Sequence, residues 1–243
     1  MNLNPYERLD DLQIRGLFII QDTRGFCFGT DAVLLSDFAD VKKGAKVLDM
    51  CTGTGIVPLL LSAKTEASHI TGIEIIDSVA EMAQRSVLYN KITNIDIVKG
   101  NILDSAEIFG KGVFDAVTCN PPYKKAGSGI VNPDDIQAIS RHEILCTLED
   151  VVSQASAVLK DNGKLFMVHR PSRLSDIFAA LKKYSLEPKR LRLVAPREGK
   201  EPNLVLIEAA KGGKSFLKVM PTLNMYNADG SYTDEVLGIY ERN

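Results

Sequence analysis

The chain has 243 residues, 45% of them hydrophobic and 25% charged, with a formal net charge of −2, which describes an ordinary globular protein with one substantial core or one core plus a small appendage. No apolar run approaches the roughly 18 to 20 residues needed to span a bilayer, and the start "MNLNPYERLDD" has neither the basic nor the apolar part of a signal region, so the cytoplasm is the expected location and a membrane is not an expected partner. Cys27, Cys51, Cys119 and Cys146 are far apart, with no CxxC pair and no His at zinc spacing; reduced thiols are expected, and neither disulfides nor a metal.

In chain order, "GTDAVLLSDFA" predicts a helix capped by Thr30 or Asp31. "AKVLDM" predicts a buried strand, "CTGTG" a glycine loop, and "IVPLLLSAKTE" a helix in which Ile56, Leu59, Leu60 and Ala63 share a face and Pro58 sits harmlessly in the first turn. A strand at "HITGIEI" precedes a helix at "DSVAEMAQRSVLYN", where Ser78 and Glu81 have capping-box spacing. Strands follow at "IDIVKG" and "FDAVTC", a helix at "LEDVVSQASAVLK", a strand at "KLFMVH", a helix at "LSDIFAALKKY", and strands near "RLRLVA" and "LVLIEA". This alternation predicts an α/β fold with a doubly wound, mostly parallel sheet, and the two consecutive late strands predict an antiparallel pair closing one edge.

Two stretches carry the chemistry. In "VLDMCTGTGI", Gly53 and Gly55 allow a tight turn and close approach to a ligand just before a helix N-terminus, and Glu74 ends the next strand 19 residues after Gly55, a position suited to accepting hydrogen bonds from ribose hydroxyls. Pro58 stands where a dinucleotide fingerprint has its third glycine, and the phosphate loop G-x-x-x-x-G-K-[ST] is absent, so NAD and nucleotide hydrolysis are disfavoured. In "DAVTCNPPYKK", the Asn120 carboxamide and the Pro121 carbonyl can accept both hydrogens of a conjugated amino group, the prolines stiffen the backbone, and Tyr123 can stack on a planar substrate. No strong general base is required, because the nitrogen can lose its proton after transfer.

"VLDMCTGTGI", "GIEI" and "NPPY" together resemble the class I S-adenosylmethionine-dependent methyltransferases. The resemblance implies their Rossmann-like fold with a seven-stranded sheet and an antiparallel edge strand, over a core at 46–210 with extensions at 1–45 and 211–243 in a single domain. It implies S-adenosylmethionine as cofactor, S-adenosylhomocysteine as product and no metal. The cofactor-contacting set it implies is Asp49 near the methionine amino end, Cys51, Gly53, Gly55, Glu74 on the ribose, Ile75, Asn101 and Ile102 by the adenine, and Asn120. Asn101 stands where the family often has an aspartate, and its side-chain oxygen can accept the same hydrogen bond. Asn120, Pro121 and Tyr123 are the implied catalytic residues.

The NPPY tetrapeptide is shared by enzymes that methylate adenine N6 in DNA or RNA and by those that methylate the glutamine amide of peptide release factors. The two ends of this chain also resemble a narrower group, the small bacterial methyltransferases acting on N6 of the adenine beside the anticodon of a valine tRNA, which makes tRNA the expected partner and a monomer the expected form. About 45 residues before the core strand leave no room for a release-factor-binding helical domain, and no sizeable DNA-recognition domain is visible. A non-catalytic nucleoside-binding module would leave NPPY unexplained. Tyr123, Lys124, Lys125 and Arg141 are the candidate substrate-binding residues; His142 beside them has no partner spacing that would make it a base. From Val158 to Lys218 there are 14 Lys or Arg against 6 Asp or Glu, and the RNA reading expects this basic segment to gather on the face that bears NPPY.

Overall fold

Apolar runs of strand length alternating with amphipathic segments build a layered α/β body in the computed structural model, which describes residues 3–25, 27–121 and 146–240. Strands β1 (Glu7–Asp11) and β2 (Phe18–Asp22) form an antiparallel hairpin. There follow α1 (Thr30–Phe38), β3 (Lys46–Met50), α2 (Ile56–Lys64), β4 (His69–Glu74), α3 (Asp77–Tyr89), β5 (Ile95–Lys99), a 3-10 turn at Ile102–Asp104 running into α4 (Ser105–Phe109), and β6 (Phe114–Cys119). From residue 146 onward come α5 (Leu148–Val158), β7 (Leu159–His169), α6 (Leu174–Lys183), β8 (Leu186–Ala195), β9 (Leu204–Lys211), the two-residue strands β10 (Lys218–Val219) and β11 (Leu223–Asn224), and α7 (Asp234–Tyr240).

The main sheet runs β10-β8-β9-β7-β6-β3-β4-β5, with β11 also paired to β8. The seven expected strands are β3 to β9, and the two short C-terminal strands extend the sheet beyond them. Strands β3 to β7 are mutually parallel, and the expected antiparallel pair is β8 and β9. Its antiparallel member, β9, is not outermost: it lies between β7 and β8 and pairs antiparallel with both. The short connection from β8 to β9 makes them a hairpin, so β9 fills the slot beside β7 and β8 runs parallel to it one place further out. Because the central strands are covered by helices on both faces, Val47, Leu48, Ile70, Ile73, Val117 and Phe166 are all fully buried. From β3 the chain winds one way to β4 and β5, then crosses back to place β6 on the other side of β3. A crevice therefore opens at the carboxyl ends of β3 and β6, where α/β sheets of this kind bind ligands.

Two cap expectations are corrected. Helix α1 is capped by neither Thr30 nor Asp31: its N-cap is the extended Gly29, with no side-chain cap, and Asp31 Oδ1 accepts the next amide, Ala32 N, at 2.9 Å. A Cβ on residue 29 would stand 2.8 Å from that carboxylate oxygen and would push the Asp31 side chain aside. Ser78 does not cap α3 either. The helix begins at Asp77 because Glu74 takes the Ile76 amide at 3.0 Å, which draws the N-cap back to Ile76 and frees Glu81 to pair with Arg85 one turn on, at 2.8 Å. A true capping box occurs at α5, between Thr147 and Asp150.

Both ends of the chain are tied to the body. The β1–β2 hairpin docks on α3, where Asn90 and Ser86 bond the backbone of Phe18 and Ile20 and Arg85 forms a bidentate pair with the buried Glu7. The Arg85 guanidinium holds the Glu7 carboxyl down at about 2. At the other end Tyr226, Tyr232 and Tyr240 stack in series, with ring centroids 5.1 and 5.6 Å apart, and Lys64 Nζ donates to the Ile239 carbonyl at 3.1 Å.

The basic segment does not gather as expected. Arg170, Arg173, Arg197 and Lys200 follow the carboxyl ends of β7 and β8, while Lys160, Lys182, Lys183 and Lys211 lie at the opposite end of the sheet. Half of its cations are in ion pairs among the described residues, including Lys160 with Asp115, Lys164 and Arg190 with Glu208, Arg173 with Asp176, and Arg192 with Glu235. A segment spread over three strands and a helix must alternate direction, so its charges divide between the two ends. Among the described residues no helix is long and apolar enough to cross a membrane.

Candidate functional site

Strand register lines the carboxyl edge with the residues singled out from sequence. Met50 pairs with Ile73 on one side and with Cys119 on the other, so the next residues, Cys51, Glu74 and Asn120, stand level at three adjacent strand ends. Glu74 in turn pairs with Lys99, which brings Asn101 to the same rim. After β3 the backbone turns through Cys51 (φ 58°), Gly53 (φ 57°) and Gly55 (φ 86°), three left-handed residues that lift the loop away from the sheet and start α2. A Cβ at Gly55 would press on Ala83 of α3 at 3.2 Å, whereas one at Gly53 would meet no atom within 4 Å. Gly55 therefore serves packing, and Gly53 faces open space.

Glu74, only 2% exposed, carries the loop. Its Oε2 accepts Gly53 N at 2.9 Å and its Oε1 accepts Ile76 N at 3.0 Å, so each oxygen holds one backbone amide and keeps an acceptor position for a hydroxyl. Asn101 Oδ1 accepts Leu103 N at 3.0 Å and so caps the 3-10 turn that follows β5. Cys51, Ile73, Glu74, Ile75, Asn101, Ile102 and Cys146 line one narrow hollow, which encloses only about 20 Å³ with Cys146 closing part of its wall. A larger hollow, of about 680 Å³, lies elsewhere, between α1, α2, β8 and α7. It holds none of the strand-end residues, and its charged walls pair with one another, as Lys64 with Asp37 and Arg192 with Glu235.

Asp49 lies beneath the loop, 1% exposed. Burial pushes its carboxyl up to about 7 against the opposing hydrogen bond from Thr118 Oγ1 at 2.6 Å, and nearby Glu74 adds to the rise. A cation brought beside this raised carboxyl would favour its ionised form. Thr118 was not singled out from sequence; its signal is a hydroxyl within the apolar run of β6, directly across from Asp49 in the register.

His169 is a second residue missed in the sequence. It ends β7, one residue past the level of Asn120, is 4% exposed and accepts Arg170 N on Nδ1 at 2.8 Å. Burial, reinforced by Arg173, lowers its pKa to about 4, so the ring is neutral. The Cys51 thiol lies within hydrogen-bonding reach of those of Cys119 and Cys146. For Cys51 and Cys146 this sharing, with burial, raises the pKa; for Cys119 burial does. All three stay protonated and are not nucleophiles. Among the described residues no group of three His, Cys, Asp or Glu side chains is placed to hold a metal ion.

Asn120 and Pro121 follow β6 directly, Asn120 partly exposed and Pro121 buried. Pro122, Tyr123, Lys124, Lys125, Arg141 and His142 lie outside the described residues.

The comparisons with known proteins agree on this architecture. Residues 25–184 match the methyltransferase small domain family. A Porphyromonas gingivalis protein named tRNA1(Val) (adenine(37)-N6)-methyltransferase is 31% identical over 88% of this chain and 86% of its own, and the Haemophilus influenzae protein of that name is 30% identical over 89% and 90%. Among solved structures, one described as a predicted O-methyltransferase from Agrobacterium tumefaciens superposes with a TM-score of 0.70 at 22% identity, covering 87% of this chain and 96% of that one. That likeness concerns the fold. The family match and the relatives reach across the strand-end crevice and both of its flanks, and the chain belongs to the methyltransferase small domain family.

Proposed function

We propose that this protein transfers a methyl group from S-adenosylmethionine to the exocyclic N6 of an adenine in tRNA, adenine 37 of a valine tRNA being the specific target. The observation that carries the reading is the level placement of Cys51, Glu74 and Asn120 at the crevice between β3 and β6: a cofactor loop beside an amino-group acceptor. The relatives' names supply the polymer and the nucleotide.

The residues present fit the cofactor. Gly53 faces open space, Glu74 keeps acceptor positions for ribose hydroxyls, Asn101 and Ile102 bound the far end of the hollow where an adenine ring would lie, with Ile75 beside Glu74, and Asp49 offers a carboxyl whose ionisation an ammonium would favour. The narrowness of the hollow means that Cys146 must yield when a ring enters. When bound, S-adenosylmethionine supplies a methyl on a sulfonium sulfur, open to a nitrogen lone pair.

This chain's own contribution is to present that lone pair. The adenine amino nitrogen is conjugated with its ring and is a poor nucleophile. The Asn120 side-chain oxygen and the Pro121 carbonyl each accept one amino hydrogen, which favours a pyramidal nitrogen and aims it along the attack direction. Tyr123 stacks on the base, and Lys124, Lys125 and Arg141 meet flanking phosphates. The proton leaves to solvent after transfer. Neutral, buried His169 is not required as a base.

The test is transfer of labelled methyl from S-adenosylmethionine to total tRNA from a strain lacking this protein, with purified release factor in a parallel tube and nucleoside digestion afterwards. N6-methyladenosine in tRNA is the expected product. Label in release factor alone would keep the amino-group chemistry and overturn the substrate, and label in neither would overturn both.

A further inference from the structure

We infer that the free edge of the sheet, residues 214–219 beside β8, is a docking surface for the phosphate backbone of the tRNA at a distance from the modified base. This rests on the proposed substrate. It starts from two lysines that, like Lys200 but unlike the ion-paired half of the basic segment, have no acid bonded to them among the described residues. The side chains of Lys214 and Lys218 are exposed and make no hydrogen bond or ion pair among the described residues. Lys189 Nζ and Lys211 Nζ, on the two strands behind them, donate to main-chain carbonyls, of Lys214 and of Leu159, which fixes their position without neutralising their charge. Glu187, the acid that feels Lys189, is already bonded by Lys182 at 2.5 Å. Lys189, Lys214 and Lys218 thus put three positive charges along the edge, and the acid beside them, Glu187, is shared with Lys182 and Ser215.

Apolar surface is interleaved with that charge. Phe216 is 72% exposed and Val219 64%, and Phe216 stands between Lys214 and Lys218 along the chain. An exposed ring between two ammonium groups suits a base or ribose flanked by phosphates. The β5 edge of the sheet also exposes apolar side chains, Leu103 and Ile108, but these sit among Asp104 and Glu107, so of the two edges the β10 edge is the one complementary to a polyanion.

The position fits an extended substrate. Lys218 pairs with Arg190 of β8, five residues before the carboxyl end at Ala195, and β8 lies four strands from β3. At about 3.3 Å per residue and about 4.8 Å between strands, the edge is roughly 25 Å from the crevice, too far to touch the target base and within reach of the arm that carries it. The competing account is that lysines on an edge strand simply block edge-to-edge pairing.

The experiment is tRNA affinity as a function of salt for the full chain, wild type against Lys214→Ala/Lys218→Ala. Each lost phosphate contact lowers the slope of log affinity against log salt by about 0.7 to 0.9, so the double variant is expected to lose about 1.5 from the slope and about tenfold in affinity at low salt. S-adenosylmethionine affinity and the transfer rate at saturating tRNA should not move. Phe216→Ala should weaken binding several-fold without changing the slope, since stacking releases no counterion. An unchanged slope and affinity in the double variant, with wild-type transfer intact, would overturn this inference alone; self-association of that variant in sedimentation would then identify the lysines as edge guards. A wild-type protein that neither binds nor methylates tRNA would overturn the substrate as well.

Discussion

Glu74 and Glu208 are almost equally buried, 2% and 4% exposed, and the regions around them use that burial in opposite ways. Glu208, on β9, lies between two cations, Arg190 and Lys164, the latter at 2.9 Å. Glu74, at the end of β4, meets only backbone amides of the loop and of the helix start. Asp49 beside it accepts from a hydroxyl and has no cation bonded to it among the described residues. A carboxylate enclosed by cations is satisfied by the protein itself, whereas one held by uncharged donors keeps both its charge and its spare acceptor positions for something else. The Glu208 region of β7 to β9 is thus a charge-balanced wall, and the ends of β3, β4 and β6 are a polar cradle with acceptor positions to spare.

The largest effect should come from the residue that serves neither region's stability. Asn120→Ala removes one of the two acceptors for the substrate amino group and should lower kcat for methyl transfer about 100- to 1000-fold while leaving the melting temperature and S-adenosylmethionine affinity nearly unchanged. Calorimetric cofactor binding beside labelled-methyl kinetics checks it; retained kcat would break the assignment. The two glutamates should then separate cleanly. Glu208→Gln takes the counter-charge from Arg190, leaves Lys164 with Asp40 alone at 3.6 Å, and should cost about 1 to 3 kcal/mol of stability, with transfer by the folded fraction intact. Glu74→Gln turns an amide donor toward a backbone N–H, should cost about 1 to 3 kcal/mol, and should weaken S-adenosylmethionine at least tenfold. Denaturant melts and equilibrium binding on both variants decide the matter, and equal losses of cofactor affinity in the two would erase the distinction.

This separation also explains what could be read from sequence. The order β3 to β7 was legible because parallel strands buried on both faces are short, uniformly apolar runs, and the Gly53 and Gly55 loop with its acid at Glu74 is a local pattern that follows the first of them. The level alignment of Cys51, Glu74 and Asn120 follows from register once the strands are known. Thr118 and His169 were not legible, since a lone hydroxyl and a lone imidazole at strand ends acquire meaning only from neighbours on other strands. Local cap rules failed at Ser78 because Glu74, outside the helix, bonds the Ile76 amide and the helix already starts at Asp77, which leaves Ser78 inside its first turn. The basic count from Val158 to Lys218 misled for the same reason: sequence adds charges along the chain, and the fold subtracts those that acids on α5, β6, β9 and α7 neutralise.

Proton linkage sharpens the comparison further, with a smaller effect. Asp49 has a folded-state pKa raised to about 7 from the 3.8 of an unburied aspartate, so the folded protein binds the extra proton between those values. Its contribution favours folding most below about pH 4 and is lost as pH rises through about 7, where the buried carboxylate becomes charged. Asp49→Asn should therefore raise the melting temperature of the cofactor-free protein at pH 8, have little effect near pH 4, and abolish tight S-adenosylmethionine binding at both. In the wild type, affinity for S-adenosylmethionine should fall as pH drops from 8 to 6, because the carboxylate that would face the ammonium becomes protonated. A pH-independent affinity would separate Asp49 from the cofactor.

The smallest effect belongs to the balanced wall. Lys160 and Asp115 pair at 2.6 Å with both side chains well exposed to solvent, and Asp115 also accepts Lys46 N at 2.9 Å, so the acid retains a partner when the lysine goes. Lys160→Ala should cost no more than about 1 kcal/mol, a loss that shrinks further in salt. Because Lys160 stands at the end of the sheet opposite the crevice and its charge is already matched, the KM for tRNA should not change, in contrast to the unmatched lysines of the β10 edge. A several-fold rise in KM for this variant would mean that RNA reaches the amino ends of the strands and that charge pairing in the free protein does not mark which lysines are spoken for.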